Sequence, residues 1–316
     1  MRLKLLGLQV EDLLIISFSV ERVLEHLINH FELTVDRRPS LYLGHSLTHM
    51  DDGLKLSAER YISDLLSRFP LGTSRPVSTP MANCYLHARR PDEPAANASV
   101  FRSLVGSLMW IATGCRPDIF YAVIAVSRYM SDPSADHLDA AYRILRYLSG
   151  SPSLGLIFRR SEPKLAVYSD SDFASDPNDR VSVSGAVVML GCNLIHFHSK
   201  KQTSVASSST EAEWLSASLA VREAIFYRMF LRSLGLSLPG PVPIYEDNQR
   251  VIASLRSNDH GKLKHLDVAL QSIHHLSAEA KVMFIYIPSV DNAADIMTKA
   301  LSRIPFLKLS STLGLG

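Results

Sequence analysis

The spacing of apolar residues changes several times along the chain, and each change predicts a different element. Residues 5–16 are dense in leucine and isoleucine, which predicts a buried strand pair or hairpin. Val20, Val23, Leu24, Leu27, Ile28 and Phe31 then fall at helical spacing. Leu41 to Leu47 and Leu54 to Leu56 flank Asp52–Gly53, a hairpin turn signal. Ser57 is placed to cap a second helix, whose apolar face is Tyr61, Ile62, Leu65, Leu66 and Phe69. From Thr73 to Ser99 the pattern lapses. Pro76, Pro80, Pro91 and Pro94 break any regular element, which predicts a linker or an extended surface segment.

Residues 100–148 return to helical spacing, with breaks at Arg116–Pro117 and Asp132–Pro133. Strands are predicted at 164–170, 183–190 and 193–198, with Gly191–Cys192 suited to a tight turn. A long helix follows over about 210–234, closed by Gly235. Beyond it the pattern predicts a strand at 242–246, a short helix after Asn248 and a helix over 264–280. A strand at 282–287 and a helix over 292–301 complete the series. This order predicts an α/β layer built on a mixed sheet. Trp214, Met229 and Phe230 are expected in the core.

Composition narrows the functional classes. The 316 residues suffice for more than one core, and the formal net charge of +2 is too mild to argue for nucleic-acid binding. Any basic surface is therefore local, as around Arg128, Arg143 and Arg146. Cys84, Cys115 and Cys192 show neither zinc spacing nor a disulfide framework, which points to a reducing compartment. Glu11 and Asp12 interrupt the apolar start, and Leu13–Ile16 is too short to span a bilayer. The expectation is a soluble intracellular chain, cytoplasmic (in a virus-like particle) or nuclear, with no membrane partner.

The chemistry lies in carboxylates near predicted element ends. Asp170 closes the first strand of the 164–198 group, and Asp172 shares its face. Glu211 opens the long helix, Asp247 follows the strand Pro243–Glu246, and Asp295 opens the last predicted helix. Gathered at one sheet edge, such acids would repel one another unless cations lay between them. Hard oxygen ligands suit Mg²⁺ or Mn²⁺. Dipole complementation by Glu211 and ordinary turn chemistry at Asp247 explain the same residues, and spacing alone favours that plainer reading. Paired His196 and His198, and adjacent His274 and His275, lack a third ligand at sensible spacing and are expected to be surface histidines.

Longer strings carry a resemblance. LAVYSDSDFASDPNDRVSVSGAVVML, HSKKQTSVASSSTEAEWLSAS, IYEDNQRVIA and IPSVDNAADIMTKAL resemble the ribonuclease H domain of copia-type LTR retrotransposon Pol polyproteins in order and spacing. RPVSTPM (75–81), FRSLVGSLMWIATGCRPDIFYAV (101–123) and HLDAAYRILRYLSG (137–150) resemble the end of the same family's reverse transcriptase and its connection. SLYLGHSL (40–47) and LKLSAERYISDLLSRF (54–69) resemble its palm and following region. The implied whole is a C-terminal Pol fragment. Its fold would be a ribonuclease H-like mixed five-stranded sheet with flanking helices, preceded by a truncated reverse-transcriptase palm and helical connection. The implied division is 1–72 palm remnant, 73–100 Pro-rich linker, 101–160 helical thumb or connection, 161–301 ribonuclease H domain and 302–316 tail.

By the same resemblance, Asp170, Glu211, Asp247 and Asp295 are the catalytic metal ligands, holding two Mg²⁺ (or Mn²⁺) ions. The implied activity is endonucleolytic cleavage of the RNA strand of an RNA–DNA hybrid, leaving a 3′-hydroxyl and a 5′-phosphate, with no small-molecule cofactor. Lys200, Lys201 and Gln202 are candidates for contacts to the nucleic-acid backbone, and His265 and Asp172 for accessory roles. The family's Tyr-x-Asp-Asp polymerase turn falls on Gln9–Val10–Glu11–Asp12, a degenerate site at Glu11 and Asp12. With the earlier palm strand expected to lie outside the chain, polymerase activity is expected to be lost. The loop 289–292 has none of the histidine common in ribonucleases H, and Ala269, Leu270 and Gln271 replace the family's basic and aromatic residues. The competing expectation is a catalytically inactive nucleic-acid-binding remnant. A longer Pol chain is the expected protein partner.

Overall fold

The two central strands of the main sheet are buried on both faces over most of their length. In the computed structural model, which describes residues 3–9, 12–17, 19–82, 86–257 and 267–316, the first antiparallel pair is β1 (Leu3–Gln9) and β2 (Asp12–Ser17). Helix α1 (Val20–Ile28) follows, then β3 (Leu41–Tyr42), β4 (His45–His49) and β5 (Gly53–Ser57), and α2 (Glu59–Arg68). Ser57, expected as a cap, is instead the buried last residue of β5, and α2 starts after Ala58 without a side-chain cap. The helical region consists of α3 (Ala98–Gly114), α4 (Phe120–Ser127) and α5 (Ala135–Ser149). Next come β6 (Gly155–Arg159), β7 (Leu165–Asp172), β8 (Val183–Leu190), β9 (Asn193–Lys201) and α6 (Ser209–Ser233). The chain closes with β10 (Val242–Glu246), α7 (Gln249–Ser257), α8 (Asp267–Ala278), β11 (Val282–Tyr286) and α9 (Arg303–Thr312).

Five strands lie in the order β11-β10-β7-β8-β9. β7, β8 and β9 are antiparallel neighbours, while β10 runs parallel to both β7 and β11. This is the ribonuclease H-like mixed sheet. Residue parity decides what each face meets. Val167 and Val188 pack toward α6, against Trp214, Ala217, Ala220 and Val221. Val187 and Met189 face the other way and join a core with α3, α4 and α5. Alanines along α6 let the helix lie close to the sheet.

The chain order of the expected segments is not their order in space. β6 pairs with β5, so residues 155–159 complete the four-stranded sheet begun at 41–57. The segment from 73 onward lies along the helices: Val77, Met81 and Leu86 pack on their core, and Pro94 accepts a bond from the Ala135 amide. Residues 302–316, expected as a tail, carry α9, whose Phe306 and Leu309 are buried. The break at Arg116–Pro117 holds a fully buried ion pair, Arg116 Nη2 to Asp118 Oδ2 at 2.8 Å, to which the Tyr147 hydroxyl adds a bond of 2.6 Å. Such a pair is costly to leave half-made, which fixes the corner between α3 and α4.

Two further expectations need correction. The helix predicted over 292–301 is a short 3-10 turn over Ala293–Met297, capped by the Asn292 side chain. Met229 and Phe230 are exposed beside Phe226, whereas Trp214 is buried as expected.

Candidate active site

Two tyrosines register the site. Tyr168 of β7 and Tyr245 of β10 are paired neighbours with stacked rings 4.8 Å apart. Asp170 and Asp247 each lie two residues further on, at the same end of the two parallel strands and on the same face as the tyrosines. Strand ends of this kind are where α/β sheets place their chemistry.

The third acid is not the one expected. Glu211 and Glu213 are two residues apart, about 200° around a helix. Glu211 is turned to the helix start, where its Oε2 accepts the Ser207 amide at 2.7 Å and the Ser207 hydroxyl at 2.5 Å. Ser208 in turn accepts the Glu211 amide, so the two side chains close the helix N-terminus reciprocally. Glu213 lies on the same stripe as Ser216, Ala217 and Ala220, the stripe that meets β7 and β8. Asp170, Glu213 and Asp247 each present an oxygen, and these oxygens lie within 4.8 Å of one another. The small residues at i+3, i+4 and i+7 from Glu213 are buried against the sheet, and it is this burial that separates it from Glu211.

Asp295 reaches the cluster from the 293–297 turn. Its approach depends on Gly185, the residue opposite Asp170 in the β7–β8 ladder. A Cβ at Gly185 would lie 2.6 Å from Thr298 Cγ2 and 3.0 Å from the Ala294 carbonyl oxygen. Glycine thus lets the turn sit directly on the strand. Asn292 Nδ2 donates to the Ser169 carbonyl at 2.8 Å, and Ser216 Oγ donates to the Asp170 carbonyl at 2.6 Å. The Thr298 hydroxyl donates to Asp170 Oδ2, and the Ser289 hydroxyl to Asp247 Oδ2. Lys299 Nζ lies 3.0 Å from Asp295 Oδ2 and 3.6 Å from Asp170 Oδ2.

Electrostatics mark the site as short of positive charge. Burial, then the neighbouring Glu246, pushes Glu213 up to about 10. Burial and the Asp170 carboxylate push Asp295 up to about 8. Glu246, fully buried behind the site, is held well above the usual carboxylate range by its burial. Burial likewise raises Asp247 and Asp172. Buried oxygens of Glu213, Glu246 and Asp295 have no hydrogen-bond partner among the described residues. Orphaned carboxylate oxygens around a triad of acids fit a hard divalent ion.

The remaining predicted residues separate. Lys201 Nζ is engaged by Asp176 at 2.5 Å and Asp179 at 2.7 Å, and Gln202 Nε2 donates to Ser184 Oγ and the Ala212 carbonyl. Those bonds make Gln202 a brace between β8 and α6, whereas Lys200 is exposed. Asp172 shares the Asp170 face, near Lys299. His265, Glu11 and the Asp12 carboxylate lie outside the described residues. His196 pairs with Glu223 at 3.6 Å, and burial lowers His198 to about 4. An open cleft of about 590 Å³ beside the triad is lined by Ser209, Thr210, Glu213, Asp247, Asn248, Gln249 and Arg250. Gly185, Glu213, Thr298 and Lys299 are site residues that the spacing of acids did not reveal.

No family model matches the chain. It is 35% identical over 311 residues to the retrovirus-related Pol polyprotein from transposon RE1 of Arabidopsis thaliana, covering 96% of this chain and 21% of that protein. It is 30% identical over 224 residues to a putative transposon Ty5-1 protein of Saccharomyces cerevisiae, covering 69% of this chain and 73% of that one. Among solved structures, LC11-RNase H1 in complex with an RNA/DNA hybrid matches 43% of this chain and 94% of its own, with 19% identity and a TM-score of 0.34. The chain spans about a fifth of the length of the first curated relatives it matches. Similarity over nearly all of its residues leads to one assignment: the chain belongs to the copia-type retrotransposon Pol polyprotein family.

Proposed function

We propose that the chain is a ribonuclease H-type endonuclease that hydrolyses the RNA strand of RNA–DNA hybrids, with a divalent metal held by Asp170, Glu213 and Asp247. The observation that carries this reading is the convergence of three carboxylate oxygens within 4.8 Å at the end of β7 and β10. Bound there, Mg²⁺ or Mn²⁺ would activate a water for attack on a phosphodiester and stabilise the leaving oxygen, giving a 3′-hydroxyl and a 5′-phosphate.

The chain's own residues prepare that event. Thr298 and Ser216 hold Asp170 by its carboxylate and its backbone. Ser289 orients Asp247, and Asp295 adds a fourth acid from its turn. Arg250 and the exposed Lys200 are suited to phosphates of the duplex, which supplies position rather than sequence preference. Discrimination of RNA would come from 2′-hydroxyls in the minor groove.

Primer extension is not part of this reading, because Gln9 and Glu11 replace the Tyr and the first Asp of the polymerase turn. Among the described residues no helix is long and apolar enough to cross a membrane. The function is exercised inside the cell, next to or within a longer Pol chain.

The test is cleavage of a labelled RNA–DNA hybrid in Mg²⁺. Wild type and Glu211→Gln are expected to cut, while Asp170→Asn and Glu213→Gln lose at least about a hundredfold in rate. Equal rates in all four proteins would remove the assigned site. Tight hybrid binding without cleavage, in both Mg²⁺ and Mn²⁺, would turn the reading to a catalytically inactive nucleic-acid-binding remnant.

A further inference from the structure

We propose that Phe173 contacts the sugars of the hybrid beside the acidic site, and that Asp176 is the positioning residue that holds it there. The inference rests on the hybrid-binding part of the reading above and not on its cleavage chemistry.

The loop from 173 to 182 leaves β7 directly after Asp170 and Asp172 and returns as β8. At its first position Phe173 is 41% exposed. A lone exposed ring is ordinary on a protein surface, but this one stands on a strained turn. Ala174 beside it has φ of 50° and Arg180 has φ of 60°, the left-handed region that favours glycine. The Ala174 amide bonds Ser182 Oγ at 3.0 Å across the loop. Such strain persists only where the surroundings enforce it.

Asp176 is the enforcing group. Its carboxylate is buried and accepts Arg128 Nη1 at 3.2 Å, Lys201 Nζ at 2.5 Å, and both the amide and Nδ2 of Asn178 at 2.9 Å. Arg128 follows α4 and Lys201 ends β9, so one carboxylate ties the loop to the helical region and to the sheet. Asn178 adds bonds to the Tyr129 hydroxyl at 3.1 Å and from the Ala88 amide at 2.7 Å. A buried carboxylate left without its cations is costly, which keeps the loop in one geometry.

The same pairing decides what the loop can touch. Arg128 and Lys201 are engaged by Asp176, and Lys201 also by Asp179 at 2.7 Å. Their charges are therefore not free to neutralise phosphates. The group presented at the start of the loop, next to the acids, is an aromatic ring. A ring packs against the apolar carbons of a sugar, and such a contact releases no counterions.

The test is the affinity of the full chain for a labelled RNA–DNA hybrid without Mg²⁺, read by fluorescence anisotropy at several salt concentrations, with folding checked by circular dichroism. Phe173→Ala, Asp176→Asn and Arg128→Gln are each expected to weaken binding about tenfold, with the salt dependence unchanged. Should Asp176→Asn not fold, Arg128→Gln carries the same expectation. Arg128→Lys is expected to bind like wild type, and Arg128→Gln to add little to Phe173→Ala, because both act through one ring. Unchanged affinity in Phe173→Ala, or additive losses in the double variant, would overturn the inference. So would a salt slope reduced by about one in Arg128→Gln, the mark of a direct phosphate contact. Wild type that binds with these variant effects but does not cleave would remove the hydrolytic reading and leave the inference standing. Wild type that does not bind the hybrid would overturn both.

Discussion

At the scale of single residues, two glutamates two positions apart have opposite duties. Glu211 closes the start of α6, and replacing it with Ala is expected to cost about 1 kcal/mol of stability with metal binding retained. Glu213, Asp247 and Asp295 are held above the ordinary carboxylate range, chiefly by burial. That direction fixes a pH dependence. Between the ordinary carboxylate range near 4 and the raised value of Asp295 near 8, the metal-free folded protein holds protons that the unfolded chain releases. Its stability therefore falls as pH rises through that window, by about 1.4 kcal/mol per pH unit for each proton held. The melting temperature of metal-free protein is expected to drop from pH 5 to pH 8, and Mg²⁺ is expected to restore more of it at pH 8 than at pH 5. A profile of the metal-free protein that rises instead would contradict the cluster's electrostatics.

At the scale of elements, periodicity made most strands and helices readable. β7, β8 and β9 follow from short apolar runs joined by the Gly191–Cys192 turn, and α6 from the 3.6-residue repeat. Asp295, proposed as the fourth acid, was legible in the string but its carrier was not. Residues 292–301 have helical spacing, yet Asn292 caps a turn of five residues, and contact with Gly185 sets how close that turn lies. Glu213 was hidden for a related reason: two acids in the first turns of a helix look alike until the buried stripe that faces the sheet is known. Met229 and Phe230 were misjudged because residue type alone does not say which face of a long helix is covered. Gly185→Val tests the element-level account. The added side chain would push on Thr298, Ala294 and Met297, with an expected loss of about 1–3 kcal/mol and weaker Mn²⁺ binding. Unchanged metal affinity in a folded Gly185→Val protein would show that the turn's position does not matter to the site.

At the scale of the molecule, the segments read from the string are bound by a shared interior. Ile62 and Leu65 of α2, Leu104 and Leu108 of α3, Leu145 of α5, Val187 of β8, Met297 and Phe306 belong to one apolar cluster. Chain order separated these residues into successive regions because sequence patterns report local period, whereas burial joins elements remote along the chain. Phe306→Ala, in what the sequence suggested was a tail, is expected to cost about 3–5 kcal/mol. Denaturant unfolding followed by the fluorescence of Trp110, on the helical side, and Trp214, behind the sheet, should show one coincident transition. Separate midpoints would argue for cores that fold apart.

The last residues add one property of a different kind. Leu315 pairs with Leu156, Gly316 and Gly155 exchange backbone bonds, and the Gly314 carbonyl accepts the Ile157 amide along β6. β6 already pairs with β5 on its other side. A strand bonded on both sides has no row of open donors and acceptors with which to recruit another polypeptide. Removing residues 314–316 would bare that row and is expected to make β6 an open edge for intermolecular β-pairing.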